Sequence, residues 1–170
     1  SRCLFCSNNL NPFPVARGFF RDVEDVKLQL AMMDEHHQQP IRLSDSLPGR
    51  IAEGEAFLHP EFFKVLSLVR RKFPVNRLCF TTNGTMLDES FVKELSRFKP
   101  VEITLSMHST RPDLWARISG KSPASAKKAI GALDLLQRYK IDFAGAIVPL
   151  PNVCGWEDIE RTYGTLVSRG

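Results

Sequence analysis

Apolar residues recur at helical spacing in five stretches of the chain, with short apolar runs between them. Asp22 stands ahead of Val23, Val26, Leu30 and Met33, the pattern of a capped amphipathic helix. His36 and His37 close that stretch, where a basic ring suits the helix dipole. A short apolar piece at 41–43 follows Pro40, then Leu47-Pro48-Gly49 and a run at 51–58. Pro60 suits a first helical position, and Phe62, Leu66, Val69 and Phe73 share one face of the helix it opens. Residues 77–81 read as a strand and Asn83-Gly84 as a turn. Asp88 then caps a third helix with Phe91, Val92, Leu95 and Phe98 inward.

The unit then repeats. Val101 to Ser106 is a strand, followed by a polar loop with one short helical turn after Pro112. Ser122-Pro123 opens a long helix that runs to about Tyr139; 143–148 is the next strand and 156–167 the next helix. Strands alternating with helices of this length predict an α/β fold, a parallel sheet of repeated β-α units with right-handed crossovers. A doubly wound sheet and part of a (β/α) barrel both fit. Either way chemistry collects at the carboxyl ends of the strands. That rule singles out Glu53-Gly54-Glu55-Ala56, Thr81-Thr82-Asn83-Gly84, Ser106-Met107-His108-Ser109 and Pro149-Leu150-Pro151-Asn152.

Composition narrows the class. The chain has 170 residues, 43% hydrophobic and 25% charged, which is the balance of one globular domain. No apolar run is long enough for a transmembrane helix, so no membrane role is expected. The net charge of +4 and pI near 9.0 describe a mildly basic surface. Arg70-Arg71-Lys72 and Lys127-Lys128 lie in helical patterns without interleaved aromatics, which leaves nucleic acid open as a partner but favours none. Four cysteines, two of them in Cys3-Leu4-Phe5-Cys6, fit a reducing cytoplasm and a metal site better than a disulfide framework. The chain starts without Met or a secretory signal, and it reads as cut from something longer.

Cys3 and Cys6 can reach one metal, and the backbone N–H groups between them can donate to sulfur. Three readings are open for such a pair: half a zinc site, a redox dithiol, or cluster ligands. Zinc needs two more ligands, yet Cys79 falls inside a strand and Cys154 in a distant loop. A redox dithiol opens a helix, whereas Asn8, Asn9, Asn11, Pro12 and Pro14 oppose one. A barrel hydrolase or lyase using His108 and Glu55 as acid and base is a further alternative.

In its ordered segments the sequence resembles the radical S-adenosylmethionine (AdoMet) enzymes. These carry Cys-x-x-x-Cys-x-aromatic-Cys after their first strand, and Cys3-Leu4-Phe5-Cys6 is similar to its second half. Residues 53–60, from Glu53-Gly54-Glu55 to His59-Pro60, resemble the family's Gly-Glu-Pro segment after the second strand. Thr82-Asn83-Gly84-Thr85 resembles the turn after the third. Thr104-Leu105-Ser106 with His108 resembles the end of the fourth, and Val148-Pro149 the end of the fifth. The stretch 106–114 is most similar to members carrying a PDZ-like domain. Ala56 replaces the family's Pro, and Glu53 stands where many members have Gly; both changes fall on backbone that approaches the cofactor.

The resemblance implies a partial (β/α) barrel spanning 1–170, without the first strand, the first cluster cysteine and the sixth strand, so the piece by itself is expected to be inactive and the activity to belong to the full-length protein. It implies a [4Fe–4S] cluster and AdoMet as cofactors, cleavage of AdoMet to a 5′-deoxyadenosyl radical, and hydrogen abstraction from an unknown substrate: small molecule, peptide or RNA. A flavodoxin or ferredoxin would supply electrons. Cys3 and Cys6 are then cluster ligands, and Phe5 packs beside the adenine. Gly54, Glu55 and Ala56 offer carbonyls to the cofactor ammonium. Thr82, Asn83 and Ser106 are candidate hydrogen-bonding partners, and Arg117 or Lys121 would pair with its carboxylate. Val148 and Pro149 wall the adenine, and Asn152 reaches the ribose. His108 is the candidate catalytic side chain, placed to touch substrate or move a proton. The competing expectation is a Cys-x-x-Cys metal-binding or electron-carrying module without radical chemistry.

Overall fold

The computed structural model describes residues 3–5, 21–34, 36–43 and 55–169. Three of their helices begin where a short polar side chain stands ahead of apolar periodicity. Asp22 accepts the Asp25 N–H at 2.8 Å and opens α1 (Val23–Met32), whose Val23 and Val26 are buried. The aromatic-rich α2 (Phe62–Lys72) buries Phe62, Val65, Leu66 and Val69 and places Arg70, Arg71 and Lys72 in its last turn, which suits its dipole. Asp88 caps α3 (Glu89–Leu95) at Phe91 N–H, and a 3₁₀ turn (Ser96–Phe98) follows. A further helix, α4 (Pro112–Ser119), starts on proline and ends on Gly120, whose φ of 65° permits the left-handed cap. Ser122 caps α5 (Pro123–Arg138), and α6 (Pro151–Cys154) and α7 (Trp156–Arg169) complete the helices.

Four strands lie between them: β1 (Ile41–Arg42), β2 (Leu78–Thr82), β3 (Val101–Ser106) and β4 (Asp142–Ala146). They pair in parallel in the order β1-β2-β3-β4. A doubly wound sheet reverses strand order; this one does not, so it forms an arc of a (β/α) barrel. Because paired residues share a face, Leu78, Phe80 and Thr82 stand with Val101, Ile103 and Leu105, and that face meets the helices. Cys79 and Thr81 stand with Glu102 and Thr104 on the other face. Phe57, Phe62 and Phe80 pack edge-on or tilted within 5.1–5.5 Å in the helix-side core. Each fully buried side chain of this size contributes about 1.5–3 kcal/mol.

At the amino end of the sheet, the Arg70 guanidinium donates to the carbonyls of Phe73, Pro74, Asn76, Phe98 and Pro100. It fixes the loops that enter β2 and β3, so the strands run in register to the opposite end. There Gly84 (φ 79°) turns the chain against α5, where an added Cβ would lie 2.9 Å from Leu105 Cδ1 and 3.2 Å from the Ala129 carbonyl oxygen. Gly84→Ala combines left-handed strain with that clash, and an equilibrium urea titration should show a loss of about 2–3 kcal/mol.

Several boundaries differ from the sequence pattern. The turn after Pro112 is a helix of eight residues, since Trp115, Ala116, Ile118 and Ser119 bury one face of it. The run at 51–58 ends in a 3₁₀ turn at Ala56–Leu58, and Pro60 precedes α2 by a turn because the His59 ring accepts the Glu61 N–H. His36 and His37 lie beyond α1, and the His37 ring sits edge-on to Phe73. Cys79 is buried, on the face shared with Glu102. The strand expected at 143–148 ends at Ala146, and α6 is a turn the pattern did not predict.

Candidate active site

Among the described residues, the exits of β2 and β4 are each held by a side chain from another segment, Glu55 and His108 respectively. After β2, the Glu55 carboxylate accepts the Thr82 hydroxyl at 2.8 Å and the Asn83 N–H at 3.0 Å, and also the Asn83 side-chain amide. Burial raises the Glu55 pKa; the Asn83 N–H, the Thr82 hydroxyl, the Phe57 N–H and the charge of Lys121 each pull it back. The Thr82 hydroxyl in turn accepts the Gly84 N–H, and the Asn83 side-chain Oδ1 accepts from the Thr85 N–H and hydroxyl. Thr82 and Asn83 therefore use their polar groups to build the turn. Thr82 also lies on the helix-facing side of the sheet. The carbonyls of Glu55 and Ala56 each accept one N–H within the 3₁₀ turn, from Leu58 and His59, which leaves each a second lone pair. Gly54 lies outside the described residues.

The exit from β3 is different. Ser106 is half-buried on the open face, and among the described residues its hydroxyl has no hydrogen-bond partner. His108 is buried, with its Nδ1 accepting the Val148 N–H at 3.0 Å. Desolvation lowers its pKa to about 4, so at neutral pH the ring is uncharged and carries its proton on Nε2. Val148 keeps an exposed side chain, and Pro149 beside it is exposed as well.

Residues 3–5 dock onto these exits. Leu4 N–H donates to the Ile118 carbonyl at 2.9 Å, and the Cys3 thiol lies 3.6 Å from the Ser119 carbonyl. The Leu4 N–H is thus committed to α4 and not available to a cluster sulfur, contrary to the expectation for N–H groups between the cysteines. The Phe5 ring meets the His108 ring edge-on at 4.3 Å. The anchor at Ile118–Ser119 is a part of the site that sequence reasoning missed; its signal was the helix stop at Gly120. Cys6 lies outside the described residues.

These placements bring together Cys3, Phe5, His108 and Val148, with Ser106 on the strand just before. Lys121 is near enough to Glu55 for its charge to act there. Arg117 projects from the exposed face of the last turn of α4, and Asn152 is exposed on α6. The Glu55 carboxylate is engaged by Thr82 and Asn83, and His108 Nδ1 by the Val148 N–H. Among the described residues, no three His, Cys, Asp or Glu side chains gather as a zinc site would require. Sulfur is the one soft donor at the site, and sulfur suits iron–sulfur ligation.

Residues 1–166 match the family described as the Radical SAM superfamily. The chain belongs to the radical SAM superfamily. Members of this superfamily are enzymes, and their cofactors are a [4Fe–4S] cluster and AdoMet. The FeMo cofactor biosynthesis protein NifB of Chlorobaculum tepidum is 28% identical over 123 residues, covering 64% of this chain and 28% of that protein. Native anSMEcpe with bound AdoMet superposes with a TM-score of 0.68 at 20% identity. The same protein with AdoMet and the Kp18Cys peptide gives 0.65 at 22% identity. Each superposition covers 96% of this chain and 44% of the other, and shows that the radical SAM chain shares the partial-barrel fold. The chain spans less than half the length of these relatives. No helix among the described residues is long and apolar enough to cross a membrane.

Proposed function

We propose that this chain, across 1–170, is the cofactor-binding core of a cytoplasmic radical SAM enzyme. The observation that carries this reading is the docking of the cysteine segment beside the strand ends, through Leu4 on Ile118 of α4 and Phe5 on His108 after β3. Cys3 and Cys6 would hold the cluster. Phe5, Val148 and Pro149 would enclose the adenine, and Asn152 would reach the ribose. The Gly54, Glu55 and Ala56 carbonyls would take the AdoMet ammonium, and Lys121 or Arg117 the carboxylate. When bound, the cluster and AdoMet supply the electron and the sulfonium whose cleavage gives a 5′-deoxyadenosyl radical. The chain's own residues bind and orient them and keep water out.

Ser106 has an uncommitted hydroxyl on the open face, whereas Thr82 and Asn83 act by shaping the backbone. Ser106→Ala should therefore weaken AdoMet binding about three- to tenfold in anaerobic equilibrium dialysis and leave the unfolding midpoint in place. Peptides are the first substrate class to test, because a neighbour holds a peptide with AdoMet; small molecules and RNA follow. A flavodoxin or ferredoxin would serve as reductant, and the 106–114 stretch favours a PDZ-like companion domain.

Anaerobic purification of the full-length protein, reconstitution with iron and sulfide, and chromatography for 5′-deoxyadenosine after dithionite reduction test the function. Release of 5′-deoxyadenosine with near four irons per protein is the expected result. Bound zinc, or no 5′-deoxyadenosine from an iron-loaded protein, overturns it.

A further inference from the structure

The β3–β4 ladder ends in an unusual way. Ser106 pairs with Ala146, and the Met107 N–H donates to the Ala146 carbonyl at 3.0 Å. In a regular parallel ladder the next bond runs from the Val148 N–H back to the Met107 carbonyl. Here the Val148 N–H goes to His108 Nδ1 instead. A side chain from the exit of β3 has taken the place of a backbone acceptor, and it sets where β4 leaves the sheet. Pro149 then restricts Val148 to extended backbone, so the position of this one N–H carries over to the whole exit. The same ring supports Phe5 edge-on at 4.3 Å, and it is 6% exposed. One imidazole thus touches both the cysteine loop and the strand exit that would wall the adenine.

We propose that His108 is a positioning residue: its Nδ1 holds the Val148 exit and its ring packs against Phe5, so that the two sides of the adenine site keep a fixed separation, and it transfers no proton. This rests on the assignment of Phe5 and Val148 to the adenine site made above. It replaces the role of catalytic side chain that a loop histidine invites. A proton-transferring imidazole needs a nitrogen free to gain and lose a proton, but Nδ1 is occupied as an acceptor and burial opposes charge on the ring.

Two substitutions separate the functions of the ring. His108→Phe keeps an aromatic against Phe5 and removes the acceptor, leaving the Val148 N–H unpaired. His108→Asn supplies an oxygen near the place of Nδ1 and removes the ring. In anaerobic equilibrium dialysis of the iron-loaded protein, AdoMet affinity should fall about tenfold in His108→Phe and by less than about threefold in His108→Asn. The rate of 5′-deoxyadenosine release at saturating AdoMet should stay within about threefold of wild type in both. A rate lost by about a hundredfold or more in both variants, with AdoMet affinity kept, is the signature of proton transfer and overturns the proposal. Equal loss of affinity in the two variants overturns the acceptor role.

Amide hydrogen exchange at Val148 reads the same contact without any cofactor. Protection in wild type and His108→Asn, with fast exchange in His108→Phe, is expected; equal exchange in all three overturns the proposal. A wild-type protein that takes up no iron and binds no AdoMet would instead defeat the functional reading, and the exchange result would stand apart from it.

Discussion

In the full-length protein, Cys3→Ala is expected to abolish release of 5′-deoxyadenosine while leaving the fold intact. Three features of the structure separate these two effects. The Cys3 side chain is half-buried, and its thiol lies 3.6 Å from the Ser119 carbonyl, a weak contact. The stronger anchor of the segment is a backbone bond, Leu4 N–H to Ile118, which the substitution does not touch. The Phe5 ring against His108 also stays in place. Thermal unfolding of the apo protein should therefore shift by less than about 1 kcal/mol. The activity should drop by at least about a thousandfold, about 4 kcal/mol of transition-state stabilisation, because a missing thiolate leaves the cluster without a ligand. Iron per protein and 5′-deoxyadenosine, measured side by side on wild type and variant, check it. A variant that retains activity in air without iron would point to a hydrolase or lyase and away from radical chemistry.

How much of this was legible in the sequence depends on the distance over which each feature is decided. Helix starts are local, and Asp22, Asp88 and Ser122 cap the helices their sequence contexts predict. The alternation in Val101–Ser106 is local too, and β3 has the predicted limits. The length of α4 was also written locally, in Pro112, Asp113 and Gly120, but the polar residues around them masked a face carrying Trp115 and Ile118. The strand-end segments were found because a parallel sheet brings its carboxyl ends together. What their side chains do there was not legible. Glu55 meets Thr82 from 27 residues away, and His108 meets Val148 from 40. Residues such as Thr82 and Glu55 read from sequence as cofactor contacts because polar groups at strand ends invite that reading. Register places Thr82 on the face it shares with Leu105. Ser106, two residues ahead of His108, falls on the open face by the same rule.

Glu55→Ala is expected to have the largest effect on stability. The carboxylate accepts from the Thr82 hydroxyl, the Asn83 N–H and the Asn83 side-chain amide, and so ties the segment entering α2 to the exit of β2. Alanine would leave these donors unpaired in a largely buried place. A hydrogen bond to a charged group is worth about 1.5–3 kcal/mol, and the three are not additive because the buried carboxylate itself carries a desolvation cost. A net loss of about 3–4 kcal/mol follows, read as a lower urea midpoint with an unchanged slope. The sign of the pH dependence is set by burial, which raises the folded-state pKa of Glu55 above its ordinary value. Below the ordinary glutamate range both folded and unfolded states hold the proton, and no penalty applies. As pH rises, the unfolded chain ionises first, so stability falls through the folded-state pKa and then levels off. Glu55→Gln removes that titration and keeps an acceptor for the Asn83 N–H. Wild type should therefore lose stability relative to Glu55→Gln as pH rises from about 4 towards neutrality. A difference that stays constant over that range, or grows in favour of wild type, would show that the hydrogen bonds to Glu55 outweigh its burial and that the carboxylate is held charged throughout.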